Sequence, residues 1–334
     1  MKNLILCLFL LTSSNIVFSD KLDKENVNSF VEFMYDKHGY NKSYLYTLFD
    51  EVKIEKKIKT LIKKAPEKKL TWNGCAPEDR QCINYKNLFV NNKNIENGKN
   101  FIKENKYLLE RAYYQFGVPG EIITAIIGIE TKYGKYLGNF KTFDTLASLS
   151  LAEQKGRRSN FYRTELENFL LLCRENNLDP RNILGSYAGA LGKPQFISSS
   201  YRNYAIDFDN DGSVDLWQSN ADVIGSVANY LKKNGWKKNG RILSKLSSDS
   251  KDAKVHSASM KSYKPHTRYK SFTRDNIISN ESINPDEKLA IIRRQEGNKN
   301  VYSFGHNNFY TITRYNRSRL YALAVYSLAE ELKK

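Results

Sequence analysis

The segment from Pro119 to Tyr133 constrains the fold most, because it is almost wholly apolar and carries helical start and stop signals. Isoleucine occupies positions 122, 123, 126, 127 and 129. Pro119 suits the first turn of a helix, and Gly134 stands just past the end. A helix this apolar ought to be buried. The sequence therefore predicts a short buried helix over 119–133.

One carboxylate interrupts this apolar helix. Helical spacing places Glu130 four residues after Ile126 and three after Ile127, on the face that ought to be buried. Because burial makes a carboxylate costly to ionise, we expect a raised pKa for Glu130, which would let it act as a general acid. The same periodicity also allows Glu130 to reach the surface near the helix end and pair with Lys132 or Arg157.

Glycoside hydrolysis normally needs a second carboxylate on the other side of the bond. Four acids are available, but none has a sequence setting comparable to that of Glu130: Asp144, Glu153, Glu165 and Glu167. The sequence therefore predicts a catalytic acid that stands alone.

The remaining chain is patterned mainly as helix. Apolar residues recur at three- and four-residue intervals within 25–115, and further helices are predicted over 161–174, 222–232 and 318–332. Ser219 and Asp222 have capping-box spacing at one of these starts. Between 236 and 308 the composition changes to Ser, Lys and Asn, with strand-like runs only at 289–292 and 301–304. We predict a mainly α (α+β) protein with a small, partly β insertion.

Composition excludes several classes of protein. In 334 residues, 40% are apolar, which excludes a disordered tail, a disulfide-dense miniprotein and a collagen repeat. The 53 Lys and Arg residues exceed the 36 Asp and Glu residues, for a formal net charge of +17. The basic residues are dispersed, so we expect attraction to an anionic surface and no nucleic-acid partner. The scattered histidines argue against zinc: His38, His256, His266 and His306.

The N-terminus has the pattern of a secretory signal peptide over residues 1–19. Lys2 precedes an apolar run from Leu4 to Leu11, and small polar residues follow. No later segment approaches the roughly 20 apolar residues of a transmembrane helix. Cys7 lies inside the apolar run and not just after it, which disfavours a lipid anchor and leaves that alternative open. We predict an exported, periplasmic protein in which Cys75 and Cys82 can form a disulfide.

Several motifs, in a preserved order from about residue 28 to the C-terminus, resemble one enzyme family. They are 117–119 (GVP), 126–134 (IIGIETKYG), 144–150 (DTLASLS), 157–158 (RR), 185–196 (GSYAGALGKPQF), 224–230 (IGSVANY) and 308–316 (NFYTITRYN). This set is similar to the catalytic region of the membrane-bound lytic transglycosylase B family. Two features depart from the family pattern: Ser198 stands where proline is common, and 245–288 has no clear counterpart.

The resemblance implies a lysozyme-like, mainly helical enzyme that cleaves the β-1,4 bond between N-acetylmuramic acid and N-acetylglucosamine without water. A single acid protonates the glycosidic oxygen and then accepts a proton from the muramoyl C6 hydroxyl, and Glu130 falls at that position. The expected organisation is a signal peptide at 1–19, an N-terminal helical region at 20–115, a catalytic core at 116–235, the insertion at 236–308 and a C-terminal segment completing the core at 309–334.

The same motif matches imply a set of substrate-binding residues. They are Ser186 and Gln195 near the acid or sugar, Arg157 and Arg158 near substrate carboxylates or acetamido groups, and Tyr230, Tyr315, Asn316 and Tyr321 along the cleft. For each residue the alternative is a packing tyrosine or a surface polar side chain. Peptidoglycan strands are the expected partner, other cell-wall enzymes are candidate partners, and the enzyme is expected to be a monomer with no catalytic cofactor.

An acidic loop over 207–222 resembles a calcium-binding EF-hand. Asp207, Asp209 and Asp211 occupy ligand positions 1, 3 and 5, Gly212 supplies the turn, and Ser213 stands at the backbone-carbonyl position. Position 12 is Gln218 where a Glu is usual. The resemblance suggests that Asp222 completes the shell through a longer loop, so a structural Ca²⁺ or similar cation is predicted. The alternative is an acidic turn without an ion.

Two other functions stay open at this point. A water-using muramidase of related fold would give reducing muramic acid ends. A non-enzymatic wall-binding or calcium-binding protein would account for the charge and the acidic loop.

Overall fold

The computed structural model describes residues 21–54, 58, 70–76, 79, 82–152, 157–247 and 252–334. The signal peptide predicted over 1–19 lies outside the described residues. Fourteen helices and eight strands occur within the described part, and most of the strands are only two or three residues long, so the mainly α class is confirmed. No helix there is both long and apolar enough to cross a membrane.

In chain order, the helices and strands are α1 (Lys24–His38), α2 (Lys42–Asp50), β1 (Leu70–Thr71), β2 (Ile83–Asn84), α3 (Tyr85–Phe89), α4 (Asn92–Glu104), α5 (Lys106–Phe116), α6 (Gly120–Thr131), β3 (Phe140–Lys141), α7 (Thr142–Leu151), α8 (Arg157–Glu175), β4 (Leu184–Gly185), α9 (Ser198–Tyr204), α10 (Asn220–Lys233), β5 (Leu243–Lys245), α11 (Asp252–Ser259), β6 (Thr267–Arg268), α12 (Tyr269–Arg274), β7 (Lys288–Glu296), β8 (Lys299–Gly305), α13 (Asn307–Tyr315) and α14 (Arg319–Leu332).

The chain divides into two compact units. The described residues of the first unit are those up to 58 and 134–223, and those of the second are 70–133 and 224–334. In the first unit, α7 and α9 pack on α8, and α1 packs on α2. Asp23 caps α1 by accepting a hydrogen bond from the Asn26 N–H (2.8 Å), and Gly39 ends the helix at φ 64°.

Helix α6 is the buried element of the second unit, where it packs against α14, α4 and α5. Every residue from Ile122 to Ile129 is buried. The helix is shorter than predicted, because Pro119 is the N-cap and Lys132 and Tyr133 take left-handed conformations at φ 49° and 62°. Left-handed backbone cannot continue a right-handed helix, so the helix ends one residue after Glu130.

This early end allows the Tyr133 ring to fold back onto α6. A Cβ built at Gly128 would lie 2.6 Å from Tyr133 Cζ, so glycine is required for the close approach. The Tyr133 hydroxyl donates a 2.7 Å hydrogen bond to the Asn94 carbonyl in α4. Burial raises the pKa of Tyr133, which keeps this donor protonated.

A four-stranded antiparallel sheet of order β5-β8-β7-β6 also belongs to the second unit. The strand-like runs predicted at 289–292 and 301–304 lie in β7 and β8, which pair with Ile291 opposite Phe304. The segment without a family counterpart contributes α11, β6 and α12 to this region. Its apolar residues share one core with β7 and β8: Val255, Tyr269, Phe272, Ile277, Ile283, Leu289, Ile291 and Phe304.

The predicted disulfide between Cys75 and Cys82 is present. It lies next to a short parallel pairing of β1 with β2. Just before it, the Trp72 indole N–H and the Asn73 amide donate to the two carboxylate oxygens of Glu296, at 3.0 and 3.1 Å. The disulfide segment is therefore attached to the end of β7.

Candidate active site

Glu130 lies in the last turn of α6, and its carboxylate faces α14. The Tyr321 hydroxyl donates a 2.6 Å hydrogen bond to Glu130 Oε1. Burial raises the pKa of Glu130 to about 7, and the Tyr321 hydrogen bond offsets part of that rise because it favours the carboxylate. The sequence allowed Glu130 to lie on the buried face or to reach the surface and pair with Lys132 or Arg157. In the structure it lies on the buried face, although its side chain keeps some exposure to solvent.

Three tyrosines continue from Glu130 as a row of rings, which we call the tyrosine row: Tyr321, Tyr315 and Tyr230. The rings of Tyr321 and Tyr315 are nearly parallel, with centroids 6.3 Å apart. Those of Tyr315 and Tyr230 are 4.8 Å apart and meet edge to face. The Tyr230 hydroxyl donates to the Arg314 carbonyl at 2.6 Å. Asn316 directly follows Tyr315 as the C-cap of α13. The second unit thus brings Glu130 together with all three tyrosines expected along the cleft.

Gln195 and Ser186 lie in the first unit, in a tightly turned segment that follows β4. Gln195 is buried with φ 52°, a conformation that non-glycine residues rarely adopt. Its amide donates to the carbonyls of Gly192 (2.9 Å) and Leu137 (3.2 Å). Ser186 Oγ accepts from the N–H groups of Ala188 and Ala190, which holds the turn closed.

The two arginines at the start of α8 differ in what the structure describes. Arg158 lies beside Tyr162: burial raises the pKa of Tyr162, and the Arg158 charge and hydrogen bond offset part of the rise. The Nε and Nη2 atoms of Arg158 are buried without a hydrogen-bond partner among the described residues. The side chain of Arg157 lies outside the described part.

Glu165 has a buried setting that the sequence reasoning missed. The expectation that no other acid resembles Glu130 was wrong, because Glu165 is only 4% exposed and burial raises its pKa. Its carboxylate accepts from Ser199 N–H (2.9 Å) and Ser199 Oγ (2.8 Å) in the first turn of α9. These bonds are those of a helix-capping acid, and they partly offset the pKa rise. Glu153 lies outside the described residues.

The acidic loop brings three predicted ligands together in the first unit. Asp207, Asp209 and Asp211 each offer a carboxylate oxygen, and these oxygens lie within 4.8 Å of one another. Asp207 accepts from the N–H groups of Asp211 and Gly212, and Asp211 accepts from Ser213 N–H and Oγ. An all-oxygen donor set of this charge fits a hard divalent cation such as Ca²⁺.

Asp222 is fully buried and lies outside that three-carboxylate group. Its two oxygens accept from Phe208 N–H and Asp215 N–H, both at 2.7 Å, so it joins the two ends of the loop. Ser219 Oγ accepts from Asp222 N–H at 3.1 Å and so makes the serine half of the predicted capping box.

A Ser–His–Glu chain that no sequence pattern indicated lies near the sheet. His306 Nε2 is 2.8 Å from Ser244 Oγ, and His306 Nδ1 is 2.8 Å from Glu287 Oε1. The order of groups matches that of a hydrolase triad. Ser244 and His306 are each only 2% exposed, however, so the hydroxyl cannot reach a substrate. We assign the Ser244–His306–Glu287 hydrogen bonds a structural role.

Tyr85 is a further residue near the acid that sequence reasoning missed. It is fully buried at the start of α3, and it lies within electrostatic range of the Tyr321 hydroxyl. No sequence signal indicated it, because a five-residue helix is too short to show a periodicity.

The buried acid, its phenol partner and the helical scaffold are those of a lysozyme-like glycan-cleaving enzyme. The chain belongs to the transglycosylase SLT domain family, whose model matches residues 23–330. It is a peptidoglycan lytic transglycosylase of the B type, as the resemblance implied.

Individual relatives cover nearly the whole chain. The chain is 33% identical over 314 residues to the membrane-bound lytic murein transglycosylase B of Escherichia coli K12. The aligned region covers 93% of this chain and 83% of that protein. The catenated lytic transglycosylase SltB1 of Pseudomonas aeruginosa matches with a TM-score of 0.83 at 35% identity, covering 93% of this chain and 98% of that one. The Escherichia coli lytic transglycosylase Slt35 in complex with calcium matches with a TM-score of 0.79 at 33% identity, covering 92% of each chain.

Proposed function

We propose that the protein cleaves the β-1,4 bond between N-acetylmuramic acid and N-acetylglucosamine without water and leaves 1,6-anhydromuramoyl ends. Glu130 is the single general acid and then the general base. The observation that carries the proposal is the Glu130 carboxyl, with its pKa raised by burial to about 7 and its Oε1 held by the Tyr321 hydroxyl. A group with such a pKa both gives and takes a proton near neutral pH.

In the first step the Glu130 carboxyl gives its proton to the glycosidic oxygen. The bond between that oxygen and muramoyl C1 breaks, and the N-acetylglucosamine part leaves with a new hydroxyl. Positive charge develops at C1, where the N-acetyl group of the substrate can share it. Glu130 is then a carboxylate, and the hydrogen bond from Tyr321 stabilises it.

In the second step the muramoyl C6 hydroxyl attacks C1 and closes the anhydro ring. Its proton passes to the Glu130 carboxylate, which restores the starting acid. The nucleophile comes from the substrate, so a second protein carboxylate is not required. This agrees with the capping role of Glu165, whose oxygens are engaged by Ser199.

The other expected site residues are proposed as substrate contacts. Tyr315 and Asn316, which are half-buried, would line the glycan path that leads away from Glu130, and the buried rings of Tyr230 and Tyr321 would position Tyr315 through their ring contacts. Gln195, Ser186, Arg157 and Arg158 are also proposed as substrate contacts. Gln195 is supported by its strained, buried backbone, because such strain is typical of functional positions.

A structural calcium ion is proposed for the acidic loop. Asp207, Asp209 and Asp211 would supply carboxylate oxygens and Ser213 its backbone carbonyl, while Asp222 holds the loop ends and remains a candidate ligand. The relative solved in complex with calcium supports this choice of cation. The ion would neutralise three clustered negative charges and play no part in the chemistry at Glu130.

We further propose that the enzyme is exported to the periplasm and acts there on peptidoglycan strands as a monomer. The Cys75–Cys82 disulfide supports export, because disulfides persist in oxidising compartments. N-terminal sequencing of the protein from its host tests the predicted cleavage after residue 19.

Mass spectrometry of the products formed from purified peptidoglycan tests the reaction itself. The wild type should give anhydromuramoyl ends, Glu130→Gln should give no product, and Glu121→Gln in the first turn of the same helix should behave as wild type. Reducing muramic acid ends would identify a water-using muramidase instead. An active Glu130→Gln variant would remove Glu130 from the mechanism, and inactivity of the wild type would favour a binding protein.

A further inference from the structure

The Cys75–Cys82 disulfide joins two arms of the chain within the second unit. We call residues 70–75 the first arm and residues 82–84 the second arm. The arms also meet through the two-residue parallel pairing of β1 with β2 and through the Asn84 side-chain oxygen, which accepts from Cys75 N–H at 3.0 Å. A parallel pairing this short is weak by itself, because isolated strand pairs are marginally stable in water. The covalent bond is therefore the strongest connection between the arms.

The first arm is fixed to the end of the β7–β8 hairpin. The Trp72 indole and the Asn73 amide donate to the two carboxylate oxygens of Glu296, and the Trp72 side chain is buried. The Asn73 backbone makes two further hydrogen bonds with the residues on either side of Glu296, at 3.1 and 2.7 Å. These hydrogen bonds and the buried indole give the first arm a defined position.

The second arm leads directly into α3, which begins at Tyr85. This helix has only five residues, and no side-chain hydrogen bond caps its start, so it is too short to be stable by itself. Its first turn is attached to the first arm, because Lys86 N–H donates to the Trp72 carbonyl at 3.0 Å. The position of Tyr85 therefore depends on how the two arms are held together.

Tyr85 connects the arms to the proposed catalytic acid. Its side chain is 1% exposed, α3 packs against α14, and the Tyr85 hydroxyl interacts electrostatically with the hydroxyl of Tyr321. Tyr321 in turn donates to Glu130 Oε1. The titratable groups that act on the Tyr321 hydroxyl are Glu130 from α6, Tyr85 from α3 and Tyr315 from α13. A displaced Tyr85 would therefore change the surroundings of the hydroxyl that holds the acid.

We propose that the Cys75–Cys82 disulfide controls the catalytic acid, with Tyr85 as a positioning residue that acts on Glu130 through Tyr321. The proposal rests on the proposed function and adds a dependence on redox state to it. With the disulfide formed, the two arms hold α3 in place, and Tyr85 supports the Tyr321 hydroxyl.

Reduction of the disulfide removes this support. A dithiol supplies two electrons and two protons, which break the S–S bond and leave two cysteine thiols, while the dithiol becomes a cyclic disulfide. Both cysteines keep some exposure to solvent, so a small dithiol is able to reach the bond. The second arm is then released, α3 loses its fixed position, and the hydrogen bond from Tyr321 to Glu130 weakens. The enzyme is thus fully active only in an oxidising compartment, where such a disulfide persists.

The test compares oxidised wild type with wild type reduced by dithiothreitol, on soluble glycan strands, with thiol titration to confirm each state. Reduction should lower kcat about tenfold and leave KM unchanged, because the acid is affected and the glycan path is not. The alkaline limb of kcat should move to higher pH, since a weaker bond from Tyr321 lets the pKa of Glu130 rise above about 7. Reoxidation should restore both kcat and the limb.

Two variants serve as controls. The double variant Cys75→Ser/Cys82→Ser should behave like reduced wild type, with or without dithiothreitol. It keeps Cys173, the buried free cysteine, so any effect of the reductant on that thiol would be seen in it. In Tyr321→Phe, reduction should shift the alkaline limb no further, because the connection from the disulfide to Glu130 is already interrupted.

An unchanged kcat after complete reduction would overturn the proposal. A fall in kcat with an unshifted limb, or an equal shift when Tyr321→Phe is reduced, would also overturn it, because the loss would not pass through Tyr321. Thermal unfolding of the reduced protein is measured alongside. If it is unfolded at the assay temperature, the disulfide serves folding alone and the proposal is wrong. Absence of anhydromuramoyl products from oxidised wild type would instead contradict the proposed function, whatever the reduced forms do.

Discussion

The Tyr321 hydroxyl donates a 2.6 Å hydrogen bond to Glu130 Oε1, joining residues that are 191 positions apart in the sequence. The bond has opposite effects in the two steps of the proposed reaction. It holds the pKa of Glu130 below the value that burial alone would produce, and it stabilises the carboxylate that must recover the proton. One contact thus adjusts the same side chain for both roles.

Loss of this contact should change the pH profile in a defined direction. In Tyr321→Phe the pKa of Glu130 should rise above about 7, because a bond that favours the charged form is gone. Since the first step needs protonated Glu130, the alkaline limb of kcat should move to higher pH, while kcat itself falls roughly tenfold. Rates measured from pH 5 to about 9 test this. Tyr326→Phe, on the same helix, is the control, and an unshifted limb in Tyr321→Phe would show that the bond does not adjust the acid.

Glu130 should lower the stability of the folded protein at high pH. Its pKa is raised from 4.5 to about 7, so folding disfavours the charged form, and stability present below pH 4.5 is lost as the pH rises through 7. Glu130→Gln should therefore be more stable than wild type by about 2 kcal/mol at pH 8, given about 1.4 kcal/mol per pKa unit and some remaining exposure. Urea unfolding of both proteins, with Glu121→Gln alongside, measures it. If the difference in free energy of unfolding between Glu130→Gln and wild type were the same at pH 4.5 as at pH 8, the raised pKa of Glu130 would be wrong.

Calcium should stabilise the protein through the acidic loop. We expect Ca²⁺ to raise Tm by about 5 °C over EDTA-treated protein, the size expected when the ligand is well above its Kd. Asp209→Asn should lose this response. In EDTA the variant should be at least as stable as wild type, because it relieves repulsion among clustered carboxylates. Asp36→Asn, at an exposed acid in α1, should keep the full response. If Ca²⁺ did not change the Tm of the wild type, the calcium proposal would be wrong and the loop would be an acidic turn that binds no ion.

The Ser244–His306–Glu287 chain should matter for stability and not for chemistry. Ser244→Ala leaves a buried nitrogen of His306 without its partner, which should cost about 1–3 kcal/mol of folding free energy. Ser257→Ala, at an exposed serine in α11, should cost nothing measurable. Neither wild type nor variant should be labelled by a fluorophosphonate probe. Labelling that disappears in Ser244→Ala would instead identify a reactive nucleophile.

Glu165 offers a test between the proposed reaction and a water-using one. Because the Glu165 carboxylate caps α9, the Glu165→Gln variant should lose about 1–2 kcal/mol of folding free energy. It should still form anhydromuramoyl ends. Ser199→Ala should reproduce most of the loss. If Glu165→Gln stayed folded and lost all activity, Glu165 would qualify as a second catalytic acid, and the single-acid mechanism would fail.

Much of the helical framework could be predicted from the sequence because its signals are local. The isoleucines at three- and four-residue intervals indicated α6 and placed Glu130 on its apolar face. The runs at 289–292 and 301–304 indicated β7 and β8. The end of α6 was misplaced, because the left-handed turn at Lys132 and Tyr133 contains no glycine or asparagine until Gly134. The reason for that turn is the packing of Tyr133 against Gly128.

The setting of Glu165 shows the opposite case. Helical spacing places Glu165 on one face with the buried Tyr162 and Phe169, so its burial was indicated locally, whereas its hydrogen-bond partner was not. The buried carboxylate has a partner because α9, more than thirty residues later, places Ser199 N–H and Oγ against it. A partner of this kind cannot be inferred from periodicity.

By itself, the sequence determined that a carboxylate would stand on an apolar helix and that an acidic loop would carry calcium-type spacing, because both depend on residues within a few positions of one another. Only the tertiary structure decided that Tyr321 would hold that carboxylate and that Tyr315 and Tyr230 would continue the row. Helical spacing sets which neighbours share a face, whereas contacts between distant segments depend on how complete helices pack.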